Sequence, residues 1–149
     1  MHIVLYKPDI PQNTAAIIRL GACLSLNIHL IEPCGFNLND SRFKRVVMDY
    51  VGLSTIVRHN DFNAFRKKYK KSRIVLMTTK AKKLYHKFRF KKHDMLLFGR
   101  ESAGVPEELH KILKNKVKIP MNKKTRSLNV AMSVAIVATE ALRQNNLLK

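Results

Sequence analysis

The sequence predicts an α/β fold, a mostly parallel sheet with helices on both faces. Two features of the chain predict it. Short apolar runs alternate with stretches of helical periodicity from end to end. The apolar runs are also continuous rather than alternating with polar residues, as expected of strands covered on both sides. At 149 residues the chain suits one compact domain, 1–149. A domain of this size can bury roughly two-thirds of its unfolded surface. Repeats, linkers and composition breaks are absent.

The elements follow in order. Ile3-Val4-Leu5-Tyr6 reads as a buried strand, and Pro8 and Pro11 punctuate the loop after it. From Asn13 to Leu26, Ile17, Leu20 and Leu24 recur at helical spacing. Ile28 to Ile31 is a second strand, stopped by Pro33 and Gly35. Asn39 or Asp40 can cap a short helix through Val47. Thr55 to Val57 reads as a strand. Asp61 then caps a helix through Tyr69, with Phe62 and Phe65 inward and Arg66, Lys67 and Lys68 outward. Arg73 to Met77 is a strand; residues 80–93 read as a basic loop with a little helix. Met95 to Phe98 is a fully apolar strand that turns at Gly99. Pro106-Glu107-Glu108 suits a helix start, with Pro in the first position and two acids at the positive end of the dipole. Val117 to Ile119 is a last strand. Leu128 to Asn145 is a final helix with Leu128, Met132, Ala135, Ile136 and Leu142 on or near one face.

Charge narrows the partner. The formal net charge is +19. Between Asp61 and Asp94 there is no acid but 13 Lys and Arg; Glu108 to Glu140 encloses seven more. Such self-repulsion points to a polyanion, and nucleic acid neutralises Lys and Arg by counterion release. A solvated basic face is the alternative. Trp is absent and aromatics are few, which disfavours binding of single strands mainly by stacking. No apolar run reaches the ~20 residues of a membrane span, and the first residues lack a signal-peptide pattern, so a cytoplasmic protein is expected. Cys23 and Cys34 form no CxxC, and the six His lack metal-ligand spacing, so no metal is expected.

Ligands of parallel sheets bind at the carboxyl ends of the strands. Three loops lie there. The first runs into Asn13-Thr14-Ala15-Ala16-Ile17-Ile18-Arg19. Its plain reading is Asn13 as a helix cap and Arg19 as a surface charge. The second, Gly99-Arg100-Glu101-Ser102-Ala103-Gly104-Val105-Pro106, is neither a dinucleotide fingerprint nor a P-loop. A strand-to-helix turn needing glycine would also explain it. The third is Ile119-Pro120-Met121 followed by Arg126-Ser127-Leu128-Asn129, where Ser127 could be an ordinary helix cap.

Taken in this order, the three segments resemble the SPOUT superfamily of trefoil-knot RNA methyltransferases. The resemblance runs from Ile3 to Gln144 and is closest to the small TrmL/YibK-like tRNA wobble-position 2′-O-methyltransferases. Asp9-Ile10-Pro11-Gln12-Asn13-Thr14 and Ile31-Glu32-Pro33-Cys34-Gly35-Phe36 add to it. It implies a SPOUT-type alpha/beta knot with a deep trefoil knot from about Phe98 onward. It also implies an obligate homodimer with sites at the subunit interface. Pattern reasoning alone would exclude a knot.

The implied reaction is methyl transfer from S-adenosylmethionine to the ribose 2′-hydroxyl of the wobble cytidine or uridine of tRNA. By resemblance Arg19 is catalytic, and Asn13, Ser127 and Asn129 assist it. The matching cofactor positions are Thr78, Gly99, Glu101, Gly104, Ile119, Met121, Ser127, Leu128 and Asn129. A guanidinium stays protonated, so Arg19 is expected to stabilise a developing alkoxide and clamp a phosphate rather than act as a base. Lys67, Lys68, Lys70, Lys71, Lys82, Lys83, Lys91 and Lys92 are candidate contacts to tRNA phosphates.

The family usually has Gly at Ala15, a Ser-Asn pair at Ala131 and Met132, and an aromatic at Thr139. These departures keep open a knotted RNA-binding factor with impaired catalysis. A methyltransferase for rRNA or another tRNA position is a further alternative. A dehydrogenase is disfavoured by the missing glycine fingerprint after the first strand.

Overall fold

The computed structural model describes residues 1–51 and 55–148. In chain order the elements are β1 (His2–Tyr6), α1 (Pro11–Cys23), β2 (Asn27–Ile31), α2 (Ser41–Val51), β3 (Ile56–His59) and α3 (Phe62–Lys68). Then come β4 (Ile74–Met77), a 3-10 turn (Tyr85–Lys87), β5 (Met95–Phe98), α4 (Glu107–Ile112), β6 (Asn115–Val117) and α5 (Val130–Gln144). The strands form one sheet in the order β3-β2-β1-β5-β4-β6, and every neighbouring pair is parallel. The chain steps outward from β1 to β3 and crosses to β4. It then inserts β5 at the centre and ends the sheet at β6.

Both faces are buried at the centre of the sheet, which is why β4 and β5 are apolar throughout and β1 is apolar from Ile3 onward. Ile3, Leu5, Leu96 and Phe98 pack with Ile17 and Ile18 of α1 and Val134, Val137 and Ala138 of α5. Val4, Tyr6, Met95 and Leu97 face the other way, onto Phe62 and Phe65 of α3 and Leu109 of α4. The alternation of side chains along each strand distributes one apolar run between two cores.

Several boundaries move from their expected places. α1 starts at Pro11, not Asn13, because proline is preset for a first helical position; Ile10 stands at the cap with no side-chain bond. Asn13 therefore lies inside the first turn and caps nothing. Asp40 Oδ1 accepts from Arg42 N at 2.8 Å, and α2 runs to Val51, past Val47. β3 sits one residue later than expected at its start and reaches His59. Asp61 caps α3 as expected, accepting from Ala64 N. Pro106 occupies the cap of α4 rather than its first turn.

β6 ends at Val117, so Ile119 lies beyond the sheet. Lys118 there pairs instead with the segment after β4: its N–H donates to Lys83 O and its carbonyl accepts from Tyr85 N. The final helix is capped by Asn129, not Ser127, with Asn129 Oδ1 accepting from Ala131 N and Met132 N. Leu128 is outside the helix, and both Leu128 and Met132 are exposed. The inward face is Val134, Val137, Ala138, Ala141 and Leu142.

Candidate active site

β1 and β5 are neighbours at the centre of the sheet, yet their following helices leave on opposite faces. Such a divergence opens a crevice at the carboxyl ends of the strands. A cleft of about 580 Å³ lies there. Its floor is Met77, Phe98 and Val117; its rim comes from the loops after β1, β4, β5 and β6.

All nine residues expected to hold a cofactor line this cleft: Thr78, Gly99, Glu101, Gly104, Ile119, Met121, Ser127, Leu128 and Asn129. Asn13 lines it as well. Arg19 does not. Six residues along α1 carry it about 9 Å away along the helix axis. There its guanidinium lies 5.4 Å from the ring centre of Tyr50 on α2.

The loops are held by a relay of polar bonds. Glu101 accepts from the Asp9 N–H at 2.8 Å and from Asn13 Nδ2 at 2.9 Å. Asn13 Oδ1 in turn accepts from Asn129 Nδ2 at 2.9 Å. Asn129 then caps α5. One carboxylate thus aligns the starts of α1 and α5. Asp9 supplies a second latch: it accepts from the guanidinium of Arg100, and from Ser102 through N at 3.1 Å and Oγ at 2.5 Å. The Arg100 bonds, helped by Ser102, hold the Asp9 carboxyl at about 2, against the opposing effect of burial.

The two glycines of the second loop have different reasons. Gly104 has φ +68, a left-handed conformation with open space where a Cβ would go. At Gly99 a Cβ would meet the main chain of Gly104 at 2.5 Å. The close approach that Gly99 permits is thus to its own loop. The Arg100 and Gly104 main chains exchange two hydrogen bonds that close the turn.

Among the described residues, the main-chain groups of Ile119 and Met121 make no hydrogen bonds, although they border an apolar slot. Ser127 is exposed, and its hydroxyl is likewise unbonded. Of the basic groups at the rim, Arg100 is paired to Asp9 and Lys80 to Glu107 at 2.9 Å. Lys80 draws the Glu107 carboxyl below its ordinary range. His110 is buried, which lowers its pKa. Arg126 and Lys118 carry no ion pair among the described residues. A flat apolar slot with unpaired amides, leading to amides, a hydroxyl and a guanidinium, suits a nucleoside joined to a polar, charged tail.

Sequence reasoning missed the Asp9–Arg100–Ser102 latch and the place of Arg126 in the cleft. All lie within the quoted motifs, but nothing local signals contacts across 91 residues. The eight candidate lysines are all exposed. Lys82 and Lys83 lie near the carboxyl ends of the strands. Lys67, Lys68, Lys70, Lys71, Lys91 and Lys92 precede β4 and β5, at the opposite end of the sheet. No described group of three or more His, Cys, Asp or Glu is placed to hold a metal ion. Among the described residues, no helix is long and apolar enough to cross a membrane.

Comparison with known proteins gives a consistent picture. The model of the SpoU rRNA Methylase family matches residues 1–139. A tRNA (cytidine(34)-2′-O)-methyltransferase of Beijerinckia indica is 47% identical over 144 residues, covering 95% of this chain and 90% of that protein. A structure solved for insight into 2-OH methylation of C/U34 on tRNA superposes with a TM-score of 0.92 at 38% identity, covering 97% of this chain and 95% of the other. An AdoMet-bound rRNA methyltransferase from Sinorhizobium meliloti is 25% identical with a TM-score of 0.85, covering 99% of this chain and 57% of that longer one.

Proposed function

The chain belongs to the SpoU rRNA methylase family, and we propose that it methylates the ribose 2′-hydroxyl of the wobble nucleotide, cytidine or uridine 34, of tRNA. The observation that carries this reading is near-full-length similarity to proteins named for that reaction, with 47% identity to one of them. The cleft supports it, since every expected cofactor position lines one crevice. A tRNA substrate goes with a cytoplasmic location and with the +19 charge.

S-adenosylmethionine bound here would supply the methyl group as an electrophilic sulfonium. The residues present suit it. Ile119 and Met121 offer unpaired main-chain groups to an adenine edge, between the apolar walls of Phe98, Val117 and Leu128. Thr78 and the Gly99–Gly104 turn border the same space. Glu101 acts mainly as a positioning residue, because its two oxygens already hold Asp9 and Asn13. Ser127 keeps a free hydroxyl for the ribose or the amino-acid tail.

In-line displacement requires the ribose oxygen to be held near attack distance, and such positioning supplies much of the rate. As its bond to the methyl carbon forms and the carbon–sulfonium bond breaks, that oxygen would pass its proton to solvent water, so a cation near the developing alkoxide lowers the barrier. We assign this role to Arg19, acting from the second copy in a homodimer. Two observations support the assignment. Arg19 stands outside its own chain's cleft. Ile10, Leu128 and Met132 form exposed apolar surface beside Asn13 and Asn129, of the kind a partner covers. The deep knot is a further part of this proposal. It is supported by the strap after β4, whose Phe88 carbonyl and Phe90 N–H bond Gln144 at the end of α5.

The departures at Ala131 and Met132 leave the start of α5 intact, since Asn129 bonds their main-chain N–H groups. The test is incubation of the purified protein with labelled S-adenosylmethionine and tRNA lacking the modification, followed by mapping. A 2′-O-methyl mark at position 34, lost in Arg19→Ala, is expected. Cofactor and tRNA binding without transfer would refute the reading. Mixing Arg19→Ala with a Glu101→Ala chain should restore part of the activity if Arg19 serves its partner's cleft.

A further inference from the structure

A second concavity, of about 470 Å³, lies between the segment after β4 and the edge strand β6. Lys80, Lys82 and Lys83 line one side of it, and Lys114 and Lys116 the other. No acidic residue is among its lining. Pairing of β4 with β6 brings these two lysine groups together from distant parts of the sequence.

The lysines are not equivalent. Lys116 Nζ donates to the His110 carbonyl at 2.8 Å, and Lys80 is paired with Glu107. Lys83 Nζ lies 5.4 Å from the centre of the Phe88 ring. Lys82 and Lys114 are exposed and carry no ion pair among the described residues. Like charges facing one another across a concavity raise the local potential and favour an anion between them. Lys80 lines both this pocket and the active-site cleft, and Lys118 lines the cleft beside it. The pocket therefore adjoins the cleft through Lys80.

We infer that this pocket binds backbone phosphate of the RNA whose target ribose occupies the cleft. The inference rests on the tRNA methyltransferase reading for the identity of the RNA. Lysine ammonium groups suit such a contact, because they meet phosphate as mobile point charges without reading bases. The pocket sets where the strand runs, and the cleft chooses the nucleotide.

The test compares two double variants with the same change in charge. Lys82→Glu/Lys114→Glu alters the pocket; Lys70→Glu/Lys71→Glu alters the turn between α3 and β4, outside the pocket lining. Affinity for unmodified tRNA, and for a short single-stranded RNA oligonucleotide, is measured across a KCl series. The pocket variant should bind at least about tenfold more weakly near 0.1 M salt and lose about one to two units of the log–log salt slope. S-adenosylmethionine affinity and thermal midpoint should stay at wild-type values. The Lys70/Lys71 variant should change binding much less. Equal losses in the two variants, or an unchanged slope in the pocket variant, would overturn the site. If the wild type transfers no methyl group to tRNA while the pocket variant still loses oligonucleotide binding, the site stands and the activity assignment falls.

Discussion

Asp9 joins two loops that are 91 residues apart, and its removal separates site geometry from cofactor chemistry. Asp9→Asn leaves the side-chain shape but weakens charge-assisted bonds to Arg100 and Ser102. Stability should fall by about 1–3 kcal/mol in a denaturant titration. The folded carboxyl titrates near 2 against an ordinary 3.8. Its contribution is therefore complete above pH 3.8 and disappears as pH falls toward 2. Glycine substitutions give a second residue-scale contrast. Gly104→Ala should cost about 1–2 kcal/mol, because only its left-handed backbone objects. Gly99→Ala meets main chain at 2.5 Å and should cost more, with cofactor affinity lost as well. Thermal melts and calorimetry with S-adenosylmethionine check both. At this scale the sequence marked the nine expected cofactor positions and Asn13, which line the cleft, but it also marked Arg19, which lies outside it. It concealed what each does: Glu101 and Asn13 are tied to one another, and Arg19 faces Tyr50.

α5 depends on one side chain at its start. Asn129→Ala removes the cap and the bond to Asn13, and should cost about 0.5–2 kcal/mol of stability. Methyl transfer should fall further than stability predicts, because the starts of α1 and α5 are no longer aligned. Across β1, β2 and β3 runs a ladder of imidazoles: His2 Nδ1 lies 3.0 Å from His29 Nε2, and His29 Nδ1 lies 3.1 Å from His59 Nε2. Phe65 and Tyr69 pack against it. Burial, with the neighbouring His2, His59 and Lys68, holds the His29 pKa at about 3. The unfolded chain binds a proton there near 6.5, so stability is complete above that pH and declines as pH falls from 6.5 toward 3. His2 and His59 are lowered too, chiefly by burial, and add in the same direction. Urea midpoints should drop between about pH 7.5 and 5, and His29→Phe should flatten that profile. Elements with strong periodicity or a clear cap, such as α3 with Asp61, could be read directly. β6 could not, because Val117-Lys118-Ile119 continues the apolar pattern past the point where Lys118 turns to Leu84.

For the molecule as a whole, the parallel sheet was legible and its strand order was not. Nothing in β4 or β5 says that the later strand takes the centre, since both are apolar on both faces. The placing of Lys82 and Lys114 on one concavity follows from that order and was hidden with it. The overall charge was legible and predicts a global behaviour. Binding of tRNA should weaken steeply with salt, by orders of magnitude between about 50 and 200 mM if about six or more phosphates are neutralised. A filter-binding series would detect a flat response at once.

β6 also forms one border of the sheet, with only three residues and no strand beyond it among the described residues. An open border of this kind is a template on which another chain can add a strand and begin aggregation. Lys114 and Lys116 place charge on it. Their replacement by valine would therefore do more than discard anion contacts: it would leave an apolar, unguarded border, and the product should self-associate. Glutamate at Lys114 keeps the border charged, so loss of RNA binding in that variant can be measured on a protein that stays dispersed.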